Sequence, residues 1–214
     1  MKGSSISWSL LLVLLIVIHF IEPFVGTSWI LEFAISSVLA FTLVCASLFT
    51  GLRTSTFVVI CVFAALWMAS NLLAGFNFDL RGVGVISSGS LMLMAVFVTF
   101  RYLLNAKNYD AELLFGAIFG YLLLAETWAF VYVNIERWSP GSFTHSLQAL
   151  DWSTFQYFSL VTITTLGFGE ITPANALTRN LVAFEAVMGV MYVAVLIGSI
   201  IGNYNLERRK DHGE

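Results

Sequence analysis

The sequence predicts an all-α membrane protein with six transmembrane helices and a short re-entrant helix between the fifth and the sixth. Three observations lead to this fold class. The composition is 58% hydrophobic and only 11% charged, whereas charged residues make up about 25% of an ordinary soluble domain. Apolar segments of the length that crosses a bilayer recur along the chain. A glycine-containing motif at residues 162–170 lies between an aromatic run and the last apolar segment.

Six apolar segments meet or approach the roughly 20 residues that a helix needs to cross the hydrocarbon core. In chain order they are residues 9–20, 30–49, 56–73, 85–102, 113–135 and 177–201. The first segment is the shortest, and together with Lys2 it is similar to a cleavable signal peptide. No convincing small-residue cleavage pattern follows it, so the sequence favours retention and leaves cleavage as the alternative.

Lysine and arginine residues are distributed unevenly between the two sides of this layout. If both termini are cytoplasmic, seven of the ten lie on the inner side, and Arg81, Arg137 and Arg179 lie on the outer side. Short cytoplasmic loops are enriched in these residues. We therefore predict a multi-pass protein of the cell membrane with both termini in the cytoplasm.

A polar stretch at residues 105–110 divides the predicted helices into two modules. Residues 1–107 form a four-helix transmembrane domain, residues 108–206 form a helix, a re-entrant loop and a helix, and residues 207–214 form a short cytoplasmic tail. The fourth span contains a single arginine, Arg101, at its cytoplasmic end. Because voltage-sensing helices carry several arginines, we predict that the first module is not a voltage sensor.

The loop after the fifth span contains a helix that is too short to cross the bilayer. Ser139-Pro140-Gly141-Ser142 predicts a turn, and Asp151 can cap a helix that runs to about Thr164. Such a helix enters the membrane and stops near its middle, which is tolerated where protein and a water-filled cavity surround it. The helix dipole places roughly half a negative charge at its carbonyl end, which stabilises a cation there.

The motif that follows, Thr165-Leu166-Gly167-Phe168-Gly169-Glu170, suits coordination of a cation by the backbone. Successive carbonyl oxygens can replace the water around a cation if they point at one axis, and this requires alternating backbone handedness. Gly167 and Gly169 permit positive φ without a Cβ clash, and Thr165 adds a hydroxyl oxygen. We predict that residues 165–169, here called the filter, bind a cation.

This motif resembles the T-V-G-Y-G-D filter of the potassium channel pore-loop family, and the three substitutions keep the chemical character. The resemblance implies that residues 108–206 are a pore domain of outer helix, pore helix, selectivity filter and inner helix. It also implies passive conduction of K+, no cofactor besides this permeant ion, and K+ sites at Thr165, Leu166, Gly167 and Phe168. Because a closed ring of carbonyls needs about four such loops and this chain has one, we predict a homotetramer.

The resemblance also identifies residues that support the filter. In the family an aromatic pair on the pore helix braces the filter, and Tyr157 and Phe158 occupy these positions. We predict that the Tyr157 hydroxyl donates to the Glu170 carboxylate of the same or an adjacent subunit, and that Phe168 meets Phe158 in an apolar contact. Thr164 is predicted to belong to the same support.

Two residues of the sixth span are candidates for gating. Gly189 occupies a position where the family often has a glycine at which the inner helix bends, and the alternative is that its small size allows close helix contact. Glu185 lies one turn earlier, and an acid inside a span is by default a functional candidate. We predict a role for Glu185 in pore structure or pH response. The alternative, for Glu185 as for Glu126, is a hydrogen-bond acceptor or a protonated acid without such a role.

The sequence thus predicts a potassium-selective ion channel and not an enzyme, since no phosphate-binding glycine loop, spaced metal ligands or activated nucleophile appears. Two other functions stay open: a cation channel with weak selectivity between K+ and Na+, and a non-conducting membrane scaffold subunit. The expected partners are further copies of the chain, membrane lipid and potassium ions, and no nucleic acid.

Overall fold

The computed structural model describes residues 8–21, 54–74, 80–106, 110–145 and 151–202, and within these ranges the chain is mostly helical. The second predicted span, the predicted module boundary at residue 107 and the tail 207–214 lie outside the described residues. The chain forms two compact units, residues 1–120 and 121–214.

The described chain contains six helices in sequence. They are α1 (Trp8–Ile21), α2 (Thr54–Ala74), α3 (Arg81–Leu104), α4 (Ala111–Trp138), α5 (Trp152–Ile163) and α6 (Ala176–Met191). The last helix continues as a π-helix, Tyr192–Ile197, and remains helical to Gly202. Five of the six helices coincide with predicted spans, and α5 is the predicted short helix of the loop.

Three helical stretches are long and apolar enough to cross a membrane, namely Gly82–Leu104, Ala111–Trp138 and Ala176–Gly202. Their lengths of 23 to 28 residues correspond to about 35 to 42 Å at 1.5 Å per residue. This exceeds the roughly 30 Å of the hydrocarbon core. Two further apolar helices are shorter, Trp8–His19 and Phe57–Leu73. The chain is therefore a membrane protein with several helices of spanning character.

In the first unit, small residues let α2 and α3 approach closely. A Cβ atom at Gly84 of α3 would lie only 3.1 Å from the Ser70 hydroxyl oxygen of α2. Ser87 and Ser88 are buried, and their hydroxyls donate to the carbonyl oxygens of Val83 and Gly84 one turn earlier. These two hydroxyls are thus satisfied within the helix, which allows small residues to form the helix contact.

Helix α1 is held in the first unit by apolar and polar contacts together. The Trp8 ring lies 5.6 Å from the Phe119 ring, and a Cβ at Gly116 would be 3.2 Å from the indole. The backbone N–H and the hydroxyl of Ser9 donate to the Glu112 carboxylate at 3.3 and 3.1 Å. The shortest predicted span is therefore an integral part of this unit.

The core of the second unit is aromatic and connects α4 with α5. The Phe143 ring lies 5.1 Å from Phe155 and 5.5 Å from Phe158, and Tyr132 of α4 lies 5.4 Å from Phe158. All three pairs meet edge-on, a favourable geometry for aromatic rings. The remaining buried residues of this cluster are Ala129, Val133 and Ile171. Side-chain packing thus determines where α5 lies.

Two short strands were not predicted from the sequence. Strands β1 (Phe143–His145) and β2 (Ile171–Pro173) pair antiparallel, with Phe143 opposite Pro173. Three residues are too few to show the alternation of apolar and polar side chains by which a strand is recognised in a sequence. The strands connect the segment before α5 to the segment after the filter, so the loop that contains α5 and the filter is closed at its base.

Candidate ion-binding site

Helix α5 begins at the predicted Asp151 cap. The Asp151 carboxylate accepts hydrogen bonds from the Thr154 backbone N–H at 2.9 Å and from the Thr154 and Ser153 hydroxyls at 2.7 and 3.0 Å. Partial burial opposes ionisation, but these hydrogen bonds outweigh it and leave the pKa of Asp151 below its usual value. The ionised carboxylate also suits the positive end of the helix dipole.

The other end of α5 adjoins the filter. With 12 residues the helix is about 18 Å long, too short for the roughly 30 Å hydrocarbon core. It ends at Ile163, and the hydroxyl of the next residue, Thr164, donates to the Leu160 carbonyl at 2.6 Å. Thr164 therefore closes the helix directly before the filter, where the helix dipole is negative.

The backbone of the filter alternates in handedness. The φ angle is +60° at Thr165, +57° at Gly167 and +88° at Gly169, whereas Leu166 and Phe168 between them do not have positive φ. Both glycines take the conformation that the sequence analysis expected of them, but Thr165 was not foreseen. A left-handed conformation costs a non-glycine residue about 1–2 kcal/mol. Strain of this kind is found preferentially at functional sites.

Amide groups at the inner end of the filter face α5. The Thr165 N–H donates to the Thr162 carbonyl at 2.9 Å, and the N–H groups of Leu166 and Gly167 donate to the Val161 carbonyl at 2.9 and 3.2 Å. Within the described ranges, no hydrogen bond ends on a carbonyl oxygen of residues 165–169. The N–H groups of Thr165, Leu166 and Gly167 are therefore bound and the carbonyl oxygens of the filter are free, which suits coordination of a cation by the backbone.

The apolar side chains of the filter extend away from the chain's own core. Leu166 is 57% and Phe168 is 62% exposed. Phe158, by contrast, is buried against Tyr132 and Phe143. No ring contact joins Phe168 to Phe158 within the described part of one chain. The predicted contact would have to form between chains, and it stays a prediction.

The predicted hydrogen bond between Tyr157 and Glu170 is confirmed. The Tyr157 hydroxyl donates to the Glu170 carboxylate at 2.5 Å within the same chain. Tyr157 belongs to α5, and Glu170 directly follows Gly169. The bond thus connects the C-terminal end of the filter to α5, and its effect on conduction stays a prediction.

Ser142 binds the segment that follows the filter. Its backbone carbonyl accepts from the Ala174 N–H at 2.9 Å and from the Thr178 hydroxyl at 3.1 Å, and its hydroxyl accepts from the Asn175 side-chain amide at 3.1 Å. Asn175 and Thr178 also form the capping box that begins α6. These bonds and the β1–β2 pairing together hold the outer end of the filter loop.

Residues of α4 and α6 enclose the inner end of the filter loop. The Tyr121 hydroxyl donates to the Ile163 carbonyl at 2.9 Å. Gly189 is buried, and a Cβ atom there would overlap the same carbonyl oxygen. Tyr192, where the π-helix begins, is also buried, and its ring lies 5.4 Å from Tyr121. Of the two interpretations of Gly189, the structure supports close contact, since only a residue without a Cβ fits here.

Both acids within the spans are buried and have polar partners. The Gln156 side-chain amide donates to Glu126 at 2.7 Å. Glu185 is 0% exposed, with one carboxyl oxygen 2.6 Å from the Tyr132 hydroxyl and the other 2.5 Å from the Ser159 hydroxyl. Glu185 thus connects α6 with α4 and α5.

Four residues of this arrangement were missed by the sequence analysis: Tyr121, Tyr132, Ser142 and Ser159. A signal for two of them was present. Tyr121 and Tyr132 are eleven residues apart in α4, which is about three turns and places them on one face. A polar group inside an apolar span needs a hydrogen-bond partner, so this spacing indicates a face of α4 that contacts other polar groups. Ser142, in a turn, had no such signal.

Known proteins are similar to the region that contains this site. Residues 113–204 match the family described as "Ion channel". The chain is 27% identical over 120 residues to "Potassium channel K2" of Plasmodium berghei (strain Anka), and 31% identical over 88 residues to "Inward rectifier potassium channel Kirbac3.1" of Paramagnetospirillum magnetotacticum. It is 40% identical over 58 residues to "Probable potassium channel protein 2" of Methanocaldococcus jannaschii.

These similarities cover 53%, 39% and 26% of this chain, and 8%, 27% and 17% of the respective relatives. The chain therefore spans less than a third of the length of the curated relatives it matches. No solved structure matches it significantly. The matched region contains the filter, α5, α6 and nearly all of α4. Over residues 113–204, which contain the candidate ion-binding site, this chain is similar to the ion channel family.

Proposed function

We propose that four copies of this chain form a potassium-selective channel that conducts K+ passively across the cell membrane. The observation that carries the proposal is the filter backbone, with alternating handedness at Thr165, Gly167 and Gly169 and carbonyl oxygens free of hydrogen bonds. Rings of such oxygens substitute for the water around K+. The relatives named as potassium channels support the same ion.

The proposed ion sites follow the filter from its inner to its outer end. The carbonyl oxygens of Thr165, Leu166, Gly167 and Phe168 are the K+ ligands, and Gly169 closes the outer end. The Thr165 hydroxyl adds a ligand at the inner end. In this proposal α5 directs the negative end of its dipole toward the ion pathway, which attracts a cation without placing a charged side chain in it.

A homotetramer is supported by the filter and by the surface of the last span. One chain supplies one filter segment, whereas a closed ring of carbonyl oxygens needs about four such segments. Within one chain, only 17% of the most apolar stretch of the last span is buried, whereas 50% of the corresponding stretch of α4 is buried. Large apolar side chains of α6 are exposed, among them Phe184, Val187 and Met191. Other copies of the chain and lipid would cover this surface in the assembled channel.

We infer six spans, with α5 and the filter entering the membrane from the outer side and both termini in the cytoplasm. Arg101 in the last turn of α3 then lies at the inner surface, and Arg137 in the last turn of α4 lies at the outer surface. The excess of lysine and arginine on the inner side supports this orientation.

Ion flux into liposomes tests the proposed function. Purified tetramer should carry K+, and its reversal potential in mixed K+ and Na+ should follow the K+ gradient. A reversal potential that follows the summed gradient of both ions would instead identify a weakly selective cation channel. Assembled tetramer without flux would identify a scaffold subunit. Either result would contradict the proposal.

Two glycine variants make this experiment specific to the filter. Gly167→Ala places a Cβ on a backbone with φ of +57°, a conformation that costs about 1–2 kcal/mol per chain, so K+ selectivity should be lost. Gly202→Ala adds the same atom where nothing lies within 4 Å, and it should conduct like the wild type. Equal flux from both variants would contradict the assignment of the filter.

A further inference from the structure

Glu185 lies at a fully buried junction of α4, α5 and α6. Its carboxyl oxygens contact two hydroxyl groups, Tyr132 of α4 at 2.6 Å and Ser159 of α5 at 2.5 Å. The Ser159 hydroxyl is also 2.7 Å from the carbonyl oxygen of Ala125 in α4. Three oxygen–oxygen contacts of hydrogen-bond length thus share one site, and Glu185 is 0% exposed.

The number of protons available at this site decides whether the Glu185 carboxyl group is protonated. Each hydroxyl group has one proton, and a carbonyl oxygen has none. Two hydroxyl protons cannot occupy three contacts, and two oxygens 2.5 Å apart without a proton between them would repel each other. If Ser159 donates to Ala125, its contact with Glu185 requires a proton on the carboxyl group. A protonated Glu185 supplies the missing proton.

The surroundings of Glu185 also favour the neutral acid. An ionised carboxylate is costly to bury unless a cation pairs with it, and both of its hydrogen-bond partners are neutral. On α4, the Tyr121 hydroxyl also lies within electrostatic reach of Glu185. Arg179, on α6, is exposed and donates to the Pro173 carbonyl, while Glu126 of α4 accepts from Gln156 on α5.

We propose that Glu185 is a proton-binding site that positions the pore helix. The neutral acid donates its own proton to Ser159, which leaves the Ser159 proton free to bond the Ala125 carbonyl and hold α5 against α4. When the acid loses its proton, the Ser159 hydroxyl donates its hydrogen bond to the carboxylate instead, and the bond to Ala125 is lost. Because α5 ends at the filter, a proton at Glu185 then controls how firmly the filter is supported.

Difference infrared spectroscopy measures this proton directly. The spectrum of wild-type protein at neutral pH, minus that of Glu185→Gln, should contain the carbonyl stretch of a protonated carboxyl group. Ser159→Ala should shift that band, because it removes the hydrogen bond. Glu126→Gln, which changes the other buried acid, should leave the band in place. A difference spectrum with only carboxylate bands, or a band that Ser159→Ala does not shift, would overturn the proposal.

Flux measurements as a function of pH test the consequence for the filter, and this part rests on the proposed function. Wild-type K+ flux should be lost as rising pH removes the proton and its infrared band. Glu185→Gln retains an uncharged donor at the same position, so its flux should stay constant over that range. Identical pH profiles for the two proteins would overturn the positioning role. A protonated band in protein that conducts at no pH would support the proton site and contradict the proposed function.

Discussion

Thr165 combines an unfavourable backbone with a useful side chain. Its φ of +60° is disfavoured for a residue with a branched Cβ, and glycine would avoid the cost of about 1–2 kcal/mol. The hydrogen bond from its N–H to Thr162, together with those from Leu166 and Gly167 to Val161, holds the backbone in place. In the proposed channel, a threonine at this position supplies an oxygen ligand that glycine lacks, and this role would account for the strain.

At Tyr157, removal of one hydroxyl group should weaken the outer end of the filter. Tyr157→Phe leaves the Glu170 carboxylate without its 2.5 Å donor. A hydrogen bond to a charged group contributes about 1.5–3 kcal/mol when buried, and we expect about 1 kcal/mol here because the pair is exposed in the single chain. The ratio of inactivated to conducting filters should rise about fivefold.

Current decay during sustained K+ conduction measures this ratio. Glu170→Gln is the matched control, since it retains an oxygen that accepts from Tyr157 without the charge, and it should have a smaller effect. If Tyr157→Phe conducts and inactivates like the wild type, the bond does not support the filter.

At Gly189, a single methyl group should disturb the pore helix. The added Cβ of Gly189→Ala would overlap the Ile163 carbonyl oxygen, and overpacking of this kind costs about 1–3 kcal/mol. We expect a lower melting temperature of the tetramer and a loss of K+ selectivity. A variant that lowers open probability and keeps its selectivity would instead support the helix-bend interpretation.

Gly198→Ala provides the comparison within the same helix. The nearest atom to its added Cβ is the Val193 carbonyl oxygen at 3.8 Å, an ordinary contact. Selectivity and melting temperature should therefore match the wild type, and both are measured in the same flux and unfolding assays.

Among the structural elements, α5 depends most on contacts at its ends and along its buried face. It is too short to be stable by itself, since isolated helices below about 12–15 residues are marginal in water. Asp151 caps its beginning, Phe155 and Phe158 pack into the aromatic core, and the Tyr121 hydroxyl binds the Ile163 carbonyl at its end. The helix can therefore hold the filter only while its neighbours hold the helix.

The cap of α5 should contribute measurably to stability. Asp151→Ala removes the acceptor for Thr154 and Ser153 and should destabilise the protein by about 1 kcal/mol, whereas Asp151→Asn should retain most of the cap. Unfolding of the detergent-solubilised protein by heat measures both. Equal stability of the alanine and asparagine variants would show that the cap is dispensable.

Low pH should remove the stability that the Asp151 cap contributes. The folded-state pKa of Asp151 lies below its usual value of 3.8, so the ionised form stabilises the fold at every pH above that value. The contribution is lost as pH falls from about 3.8 through the lower folded-state pKa. The stability difference between wild type and Asp151→Ala should therefore shrink over this acid range and stay constant at higher pH.

For the whole molecule, the arginine content of α3 limits how conduction can depend on voltage. One charge that crosses the membrane contributes about 2.3 kcal/mol per 100 mV, and the two arginines of α3, Arg81 and Arg101, lie at its first residue and in its last turn. Open probability should therefore change little with voltage, and Arg101→Gln should not alter it. Single-channel recording over a range of voltages measures this. A steep dependence that Arg101→Gln abolishes would make the first module a voltage sensor.

Local sequence was sufficient for the helices and for part of the site. Apolar runs located five described helices, and Gly167 and Gly169 indicated the alternating backbone because only glycine takes positive φ without a Cβ clash. The Asp151 cap and the pairing of Tyr157 with Glu170 also followed from the motif and its resemblance. Each of these depends on residues that are close together in the chain.

The tertiary structure alone decided which distant groups meet. The contacts of Ile163 with Tyr121 and Gly189, and those of Glu185 with Tyr132 and Ser159, join residues 26 to 53 positions apart. Hydropathy and local motifs specify which segments enter the membrane, because burial of apolar surface depends on composition. They do not specify how the helices face one another, which is determined by packing and by the need of every buried polar group for a partner.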